Sequence, residues 1–166
     1  SLYEAFGTGL VVPDTGIVLQ NRGALFSTDP EHPNFIEPAK RPYNTIIPGM
    51  VTRNSNLVSS FGVMGGFQQP QGHLQVVSNM IDFGMNPQEA LDSARFRISI
   101  EDETVFAEDS FSQEVISGLK SKGHSVSVIS GVKRGFFGGG QIINRNNEGV
   151  LIGGSDPRKD GISVSC

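Results

Sequence analysis

Four prolines within thirteen residues, Pro30, Pro33, Pro38 and Pro42, set the strongest constraint on this chain. Each removes a backbone donor and fixes φ, so the stretch 27–45 can form neither a continuous helix nor a central strand. The sequence therefore predicts a long irregular segment, and such segments are usually functional or lie against another chain. Ahead of it, Leu10-Val11-Val12 and Ile17-Val18-Leu19 flank a turn bracketed by Pro13 and Gly16, and read as short strands or extended loop. Regular structure is expected only behind it. The β-branched runs 46–52 and 57–64 read as a hairpin around Arg53-Asn54-Ser55-Asn56, with Gly65-Gly66 ending its second strand.

The spacing of Leu74, Val77 and Ile81 and of Val76, Met80 and Phe83 predicts a helix over 70–83, stopped by Gly84. Asn86 as N-cap and Pro87 at the first helical position open a second helix running to about Arg95. Two short strands follow in 96–107. Ser110 with Gln113 reads as a capping box for a helix reaching Lys122, with Val115, Ile116 and Leu119 inward and Gly123 at its end. Val126, Val128 and Ile129 make a strand, and 141–145 with 149–154 make a hairpin around Asn146-Asn147. This order of strands and helices predicts an α/β (α+β) layered sandwich, in one domain spanning 1–166, a length that buries a sizeable core.

Charge narrows the function. Seventeen acidic against thirteen basic side chains leave a net charge of −4, which argues against a nucleic-acid partner because phosphate contacts need a basic face. No apolar run has the length of a membrane span. The single cysteine, Cys166, excludes an internal disulfide or a cysteine metal site and is compatible with a reducing compartment, so the expectation leans cytoplasmic. His32, His73 and His124 are scattered, and satisfied or solvated histidines are expected instead of a shared metal site. Ser1-Leu2-Tyr3 is neither a signal peptide nor an initiator-Met start, which reads as a trimmed or processed chain.

Glycine is abundant, with 21 residues, yet no phosphate loop is present, and Gly138-Gly139-Gly140 precedes a strand, so it reads as tight turns. Gly65-Gly66 is different. Two glycines between an apolar strand and a helix let backbone N–H groups approach a ligand, as an oxyanion hole requires, although a plain strand-to-helix turn would look the same.

Phe6-Gly7-Thr8-Gly9, the run from Gly16 to Asn21, Lys40-Arg41-Pro42, Gly65-Gly66, Ala94-Arg95-Phe96 and Gly154-Ser155-Asp156-Pro157-Arg158 occur in an order that resembles the γ-glutamyltransferase (γ-glutamyltranspeptidase) family. The resemblance is to its small catalytic subunit, and Arg22-Gly23-Ala24 and Pro70-Gln71-Gly72-His73 look most like the cephalosporin-acylase-like branch. It implies an N-terminal-nucleophile hydrolase αββα sandwich, here the small-subunit portion lacking its first strand, from a precursor that cuts itself. In that scheme the new N-terminal Thr, upstream of Ser1, is nucleophile and, through its α-amine, its own base. The implied partners are the large subunit of the same precursor and a small γ-glutamyl or related acyl substrate, in the setting of glutathione metabolism, with no cofactor and no metal.

Residue by residue, the resemblance makes Ser1 a hydroxyl supporting the nucleophile, and Gly65 and Gly66 the oxyanion pair. Tyr3 stands where glutathione-type enzymes often carry Asn, and Asn44-Thr45 replaces a Ser pair that holds the donor α-carboxylate. Arg22 and Leu25 depart furthest, since the family anchors the donor α-ammonium there with Gln or Glu and with Asp. A cation and an apolar side chain cannot hold an ammonium. The expected donor therefore lacks a free α-ammonium, being a glutaryl-type or internal γ-glutamyl group, and Arg22 either pairs an anion on it or stands as a solvated surface arginine. Two other readings stay open, a catalytically inactive scaffold or binding domain of the same fold and a hydrolase using Ser1 itself as nucleophile.

Overall fold

The computed structural model describes residues 1–164; Cys166 lies outside the described residues. The chain falls into two compact units, Ser1–Ile46 and Ile47–Cys166.

The first unit is held by turns and side-chain bonds. Its single helical turn, Arg22–Leu25, is of the 3-10 type. Val11 and Val18 form an isolated antiparallel bridge across the turn at Gly16, and Ser27 and Phe35 form a parallel one inside the proline-rich stretch. The rest of 27–45 is irregular, as four prolines require.

In the second unit a four-stranded sheet has the order β1-β2-β6-β7, with β1 Gly49–Arg53, β2 Asn56–Met64, β6 Gly139–Arg145 and β7 Leu151–Ser155. All its pairings are antiparallel. The β1–β2 connection is tighter than the four-residue turn expected. The strands run to Arg53 and Asn56, and Asn54 and Ser55 alone turn the chain, both at positive φ (50° and 63°). The helices α1 (Gln69–Ile81) and α2 (Pro87–Asp92) cover one face of this sheet. Val63, Val76, Ala90, Leu91 and Ile142 form the core between them. Gly72 lets α1 sit close, because a Cβ there would come within 3.0 Å of Val63.

Asn86 caps α2 as expected, within a capping box closed by Glu89. The helix stops at Asp92, short of Arg95, which turns inward as a buried ion-pair partner. A second, three-stranded sheet has the order β3-β4-β5, from β3 Phe96–Ile98, β4 Val105–Glu108 and β5 Val126–Ile129, with β4 and β5 parallel. Between them α3 (Gln113–Ser121) is capped by Ser112, whose hydroxyl accepts the Val115 N–H. The cap is therefore Ser112 and not Ser110. Ile116 is buried, while Val115 faces solvent, so the inward face is narrower than its apolar spacing suggests.

The triple glycine is not a set of tight turns. Gly139 and Gly140 lie within β6, where a Cβ on Gly140 would meet Leu91 at 2.4 Å. Gly138, at φ 81°, would drive a Cβ to 2.1 Å from the Met64 carbonyl oxygen. Close backbone approach, not turning, selects glycine here.

Candidate active site

In the first unit one side chain gathers most of the expected substrate residues. Arg22 begins the 3-10 turn and is half-buried. Its Nη2 donates to Ser1 Oγ at 2.9 Å and its Nε to Thr45 Oγ1 at 2.8 Å. Its guanidinium lies 5.8 Å from the Tyr3 ring centroid, within cation–π range. Arg22 is thus an engaged residue and not a solvated surface arginine. Ser1 Oγ also accepts the Tyr3 N–H at 3.4 Å. Tyr3 sits at φ 78°, a left-handed conformation uncommon outside glycine. Burial and the neighbouring Glu4 push its phenol above the ordinary value, with Arg22 pulling the other way, so the hydroxyl keeps its proton at neutral pH.

Asn21 makes that strained entry possible. Its Oδ1 accepts the Glu4 N–H at 3.0 Å, and its Nδ2 donates to the Glu4 and Gly7 carbonyls at 3.3 and 3.0 Å. Asn44 is exposed, and its Oδ1 accepts the Ile46 N–H at 3.3 Å. Arg22, Arg41, Pro42, Tyr43, Asn44 and Ile46 line one pocket of about 550 Å³. Its two guanidinium groups face no carboxylate in that lining, which suits an anionic ligand. Leu25 ends the 3-10 turn and brings no polar side-chain atom there.

Gly65 and Gly66 belong to the second unit. They join β2 to a 3-10 turn, Gly66–Gln68, that leads directly into α1. Gly65 adopts φ 149° and ψ 24°, Gly66 φ 59°. A Cβ on Gly65 would lie 3.2 Å from both Gln68 Cβ and Gly138 Cα, whereas one on Gly66 would meet nothing within 4 Å. Gly66 therefore borders open space, as an oxyanion site needs, while Gly65 is packed from behind. The Gln68 N–H donates to the Gly65 carbonyl at 3.1 Å, fixing the direction of the turn.

A buried ion network lies beneath these elements. Arg95 Nη2 pairs with Asp156 Oδ2 at 2.7 Å, Arg158 Nη1 with Asp156 Oδ1 at 3.1 Å, and Arg158 with Glu108 through a short bond. The Gly140 N–H also donates to Asp156 Oδ2 at 2.7 Å. Burial alone would raise the Asp156 carboxyl, but Arg95, the Arg158 and Gly140 N–H groups and the Arg158 charge hold it below the usual carboxylate value. Asn21, Arg95, Asp156 and Arg158 lie inside the motifs that carry the resemblance and Glu108 in none of them, and nothing in residue type announces their partners.

The chain has the fold of the N-terminal-nucleophile hydrolases, as its likeness to solved structures shows. Its structure superposes on cephalosporin acylase from Bacillus halodurans with a TM-score of 0.89 at 50% identity, covering 98% of this chain and 30% of that one. On γ-glutamyltranspeptidase from Pseudomonas nitroreducens complexed with L-DON the TM-score is 0.83 at 26% identity, covering 100% and 90%. The γ-glutamyltranspeptidase family model matches residues 1–166, and the chain belongs to that family. It is 39% identical to the glutathione hydrolase-like YwrD proenzyme of Bacillus subtilis (strain 168) and 36% identical to the oxamate amidohydrolase proenzyme of Klebsiella pneumoniae. Each alignment covers 99% of this chain and 32% of the relative, so the chain spans about a third of their length.

Proposed function

We propose that the chain is the small-subunit portion of a self-processed amidohydrolase or acyltransferase of the γ-glutamyltransferase type. Its nucleophile is a Thr upstream of Ser1. The α-amine of that Thr takes the hydroxyl proton as Oγ attacks the donor amide carbonyl. The Gly65 and Gly66 N–H groups hold the resulting oxyanion. The C–N bond then breaks, the amine leaves with the proton, and an acyl-Thr ester remains. Water or an acceptor amine attacks that ester and frees the acid or the new amide.

The observation that carries the donor class is Arg22, bonded at once to Ser1 and Thr45. An ammonium donor group would meet a cation there, whereas a carboxylate would be paired. The relatives named for oxamate and cephalosporin add support, oxamate being an anionic amide without an ammonium. The acyl donor is therefore a carboxylate-bearing amide with no free α-ammonium, glutaryl-type or an internal γ-glutamyl group. Ser1 acts as a supporting hydroxyl, a role that suits an oxygen already accepting from Arg22.

The partner is the large subunit of the same precursor. One face of the four-stranded sheet carries α1 and α2. The other leaves Met50, Met64, Ile143 and Leu151 exposed, a surface that a second layer would bury. The test compares hydrolysis of glutaryl and γ-glutamyl anilides by the full-length processed protein. A preference for the glutaryl anilide is expected, and a clear γ-glutamyl preference overturns the donor assignment.

A further inference from the structure

We infer that His73 is a positioning residue for the Gly65–Gly66 pair, its neutral imidazole pinning the end of β2 from which those glycines emerge. The inference rests on the reading of that pair as the oxyanion site. Pairing of β1 with β2 runs out at Gly49 opposite Phe61, two residues short of Val63. His73, in the second turn of α1, supplies the acceptor that β1 does not, its Nε2 receiving the Val63 N–H at 2.9 Å. The ring is held edge-on to Phe61, with centroids 5.4 Å apart and planes at 73°. Helix and strand are thereby joined on both sides of the glycine junction, Val63 two residues before Gly65 and His73 seven residues after Gly66.

The tie is conditional on protonation. Only the neutral ring has an acceptor at Nε2; the imidazolium presents a second N–H, and two donors then face one another. Burial holds the imidazole below its ordinary value, so the acceptor state is the resting state at neutral pH. Neither α1 nor β2 contains another titratable side chain. Asp82 lies just beyond the far end of α1, Arg53 at the hairpin turn and Arg145 at the distal end of β6. Lys159 lies along Gly139, on the sheet face opposite α1. On the helix-facing side Asp156 touches Gly140, but it is already paired with Arg95 and Arg158. The other elements packed on α1 bring Glu89 and Asp92 from α2 and Arg97 from β3, which are engaged with the Asn86 N–H, the Gln88 amide and the Phe136 ring. His73 is thus the histidine of this junction, and its charge changes between neutral and mildly acidic pH.

The experiment uses the full-length processed enzyme. It measures kcat and KM against pH for the wild type, His73→Gln and His73→Phe, and follows the Val63, Gly65 and Gly66 amide resonances in the wild type. Gln keeps an uncharged acceptor of similar reach; Phe keeps the ring and removes the acceptor. Misplacing a catalytic group by about an ångström costs on the order of 100-fold. His73→Phe is therefore expected to lose roughly 10–100-fold in kcat at all pH values, with KM little changed. The wild type is expected to lose activity below the ordinary histidine value, with the three amides shifting together, and His73→Gln to lack that acid limb. An acid limb that persists in His73→Gln, wild-type kcat in His73→Phe, or amides indifferent to pH overturns the inference. Gly65→Ala, whose Cβ would press on Gln68 and on the Gly138 backbone at a φ that only glycine adopts freely, displaces the pair and reports on the underlying reading separately. A large kcat loss there alongside a silent His73 removes the inference alone, and wild-type kcat in Gly65→Ala removes both.

Discussion

At the scale of single residues the donor assignment rests on Arg22. Hydrogen bonds that involve a charged group are worth about 1.5–3 kcal/mol, so Arg22→Gln is expected to lower kcat/KM for a glutaryl anilide by roughly 10–100-fold. The γ-glutamyl anilide should lose much less, since Gln does not repel an ammonium, and parallel kinetics on the two anilides measure the difference. That a cation stands at position 22 was legible in the sequence, because charge is a property of residue type, while the expectation that it displaces an ammonium anchor comes from the resemblance alone. Its partners were not legible. Ser1 and Thr45 lie 21 and 23 residues away in the chain, on opposite sides of Arg22, and irregular segments on both sides bring them to one guanidinium. Leu25 was equally legible as a loss of polarity, whereas Asn21, which fixes the entry of the first residues through three bonds to Glu4 and Gly7, gave no signal beyond its place in a motif.

At the scale of elements, two devices tie the helices and sheets together, of which the first joins α1 to β3 and the second joins the ends of α2, β4 and β7. The first is a glutamine ladder. The free edge of β3 would expose the Phe96 and Ile98 backbone, and Gln75 pairs with both polar groups of Phe96 while Gln71 pairs with both of Ile98. Gln68 adds a bond to the Phe96 carbonyl. These side chains stand in for a missing strand. Gln75→Leu leaves the Phe96 N–H unpaired in a half-buried site, the carbonyl keeping its Gln68 bond, and should cost about 1–3 kcal/mol, read by denaturant unfolding of the assembled protein.

The second device is the ion network of Arg95, Glu108, Asp156 and Arg158. Removing one partner of a buried pair leaves an uncompensated charge, so Asp156→Asn should cost about 3–5 kcal/mol. The pH dependence follows from the sign of the shift. The folded carboxyl lies below its unfolded value, so its stabilisation is complete above the ordinary aspartate pKa and is lost as pH falls through the lower folded one. Wild-type stability should drop in that acid window, and Asp156→Asn should lack that component of the drop. Periodicity and capping chemistry exposed most helices and hairpins in the sequence. They could not show where α2 would stop, because Arg95 continues the helical pattern yet is drawn inward by carboxylates 13 and 61 residues further along the chain.

At the scale of the whole molecule, the first unit holds the Arg22, Ser1 and Thr45 cluster and the second holds the glycine junction and the layered sheets. Neither contains, within residues 1–166, a Thr placed by the resemblance as nucleophile. The layered α/β class was readable from element order alone, and the family from motif order; the uncovered apolar face of the four-stranded sheet was not, because alternation marks two faces without saying which one a partner covers. The most direct test is the intact mass of every polypeptide in the purified full-length protein under denaturing conditions. The account predicts two species, the smaller one heavier than the 17.8 kDa of residues 1–166 and beginning with Thr. A single uncut polypeptide, or a small subunit that begins at Ser1, would contradict it.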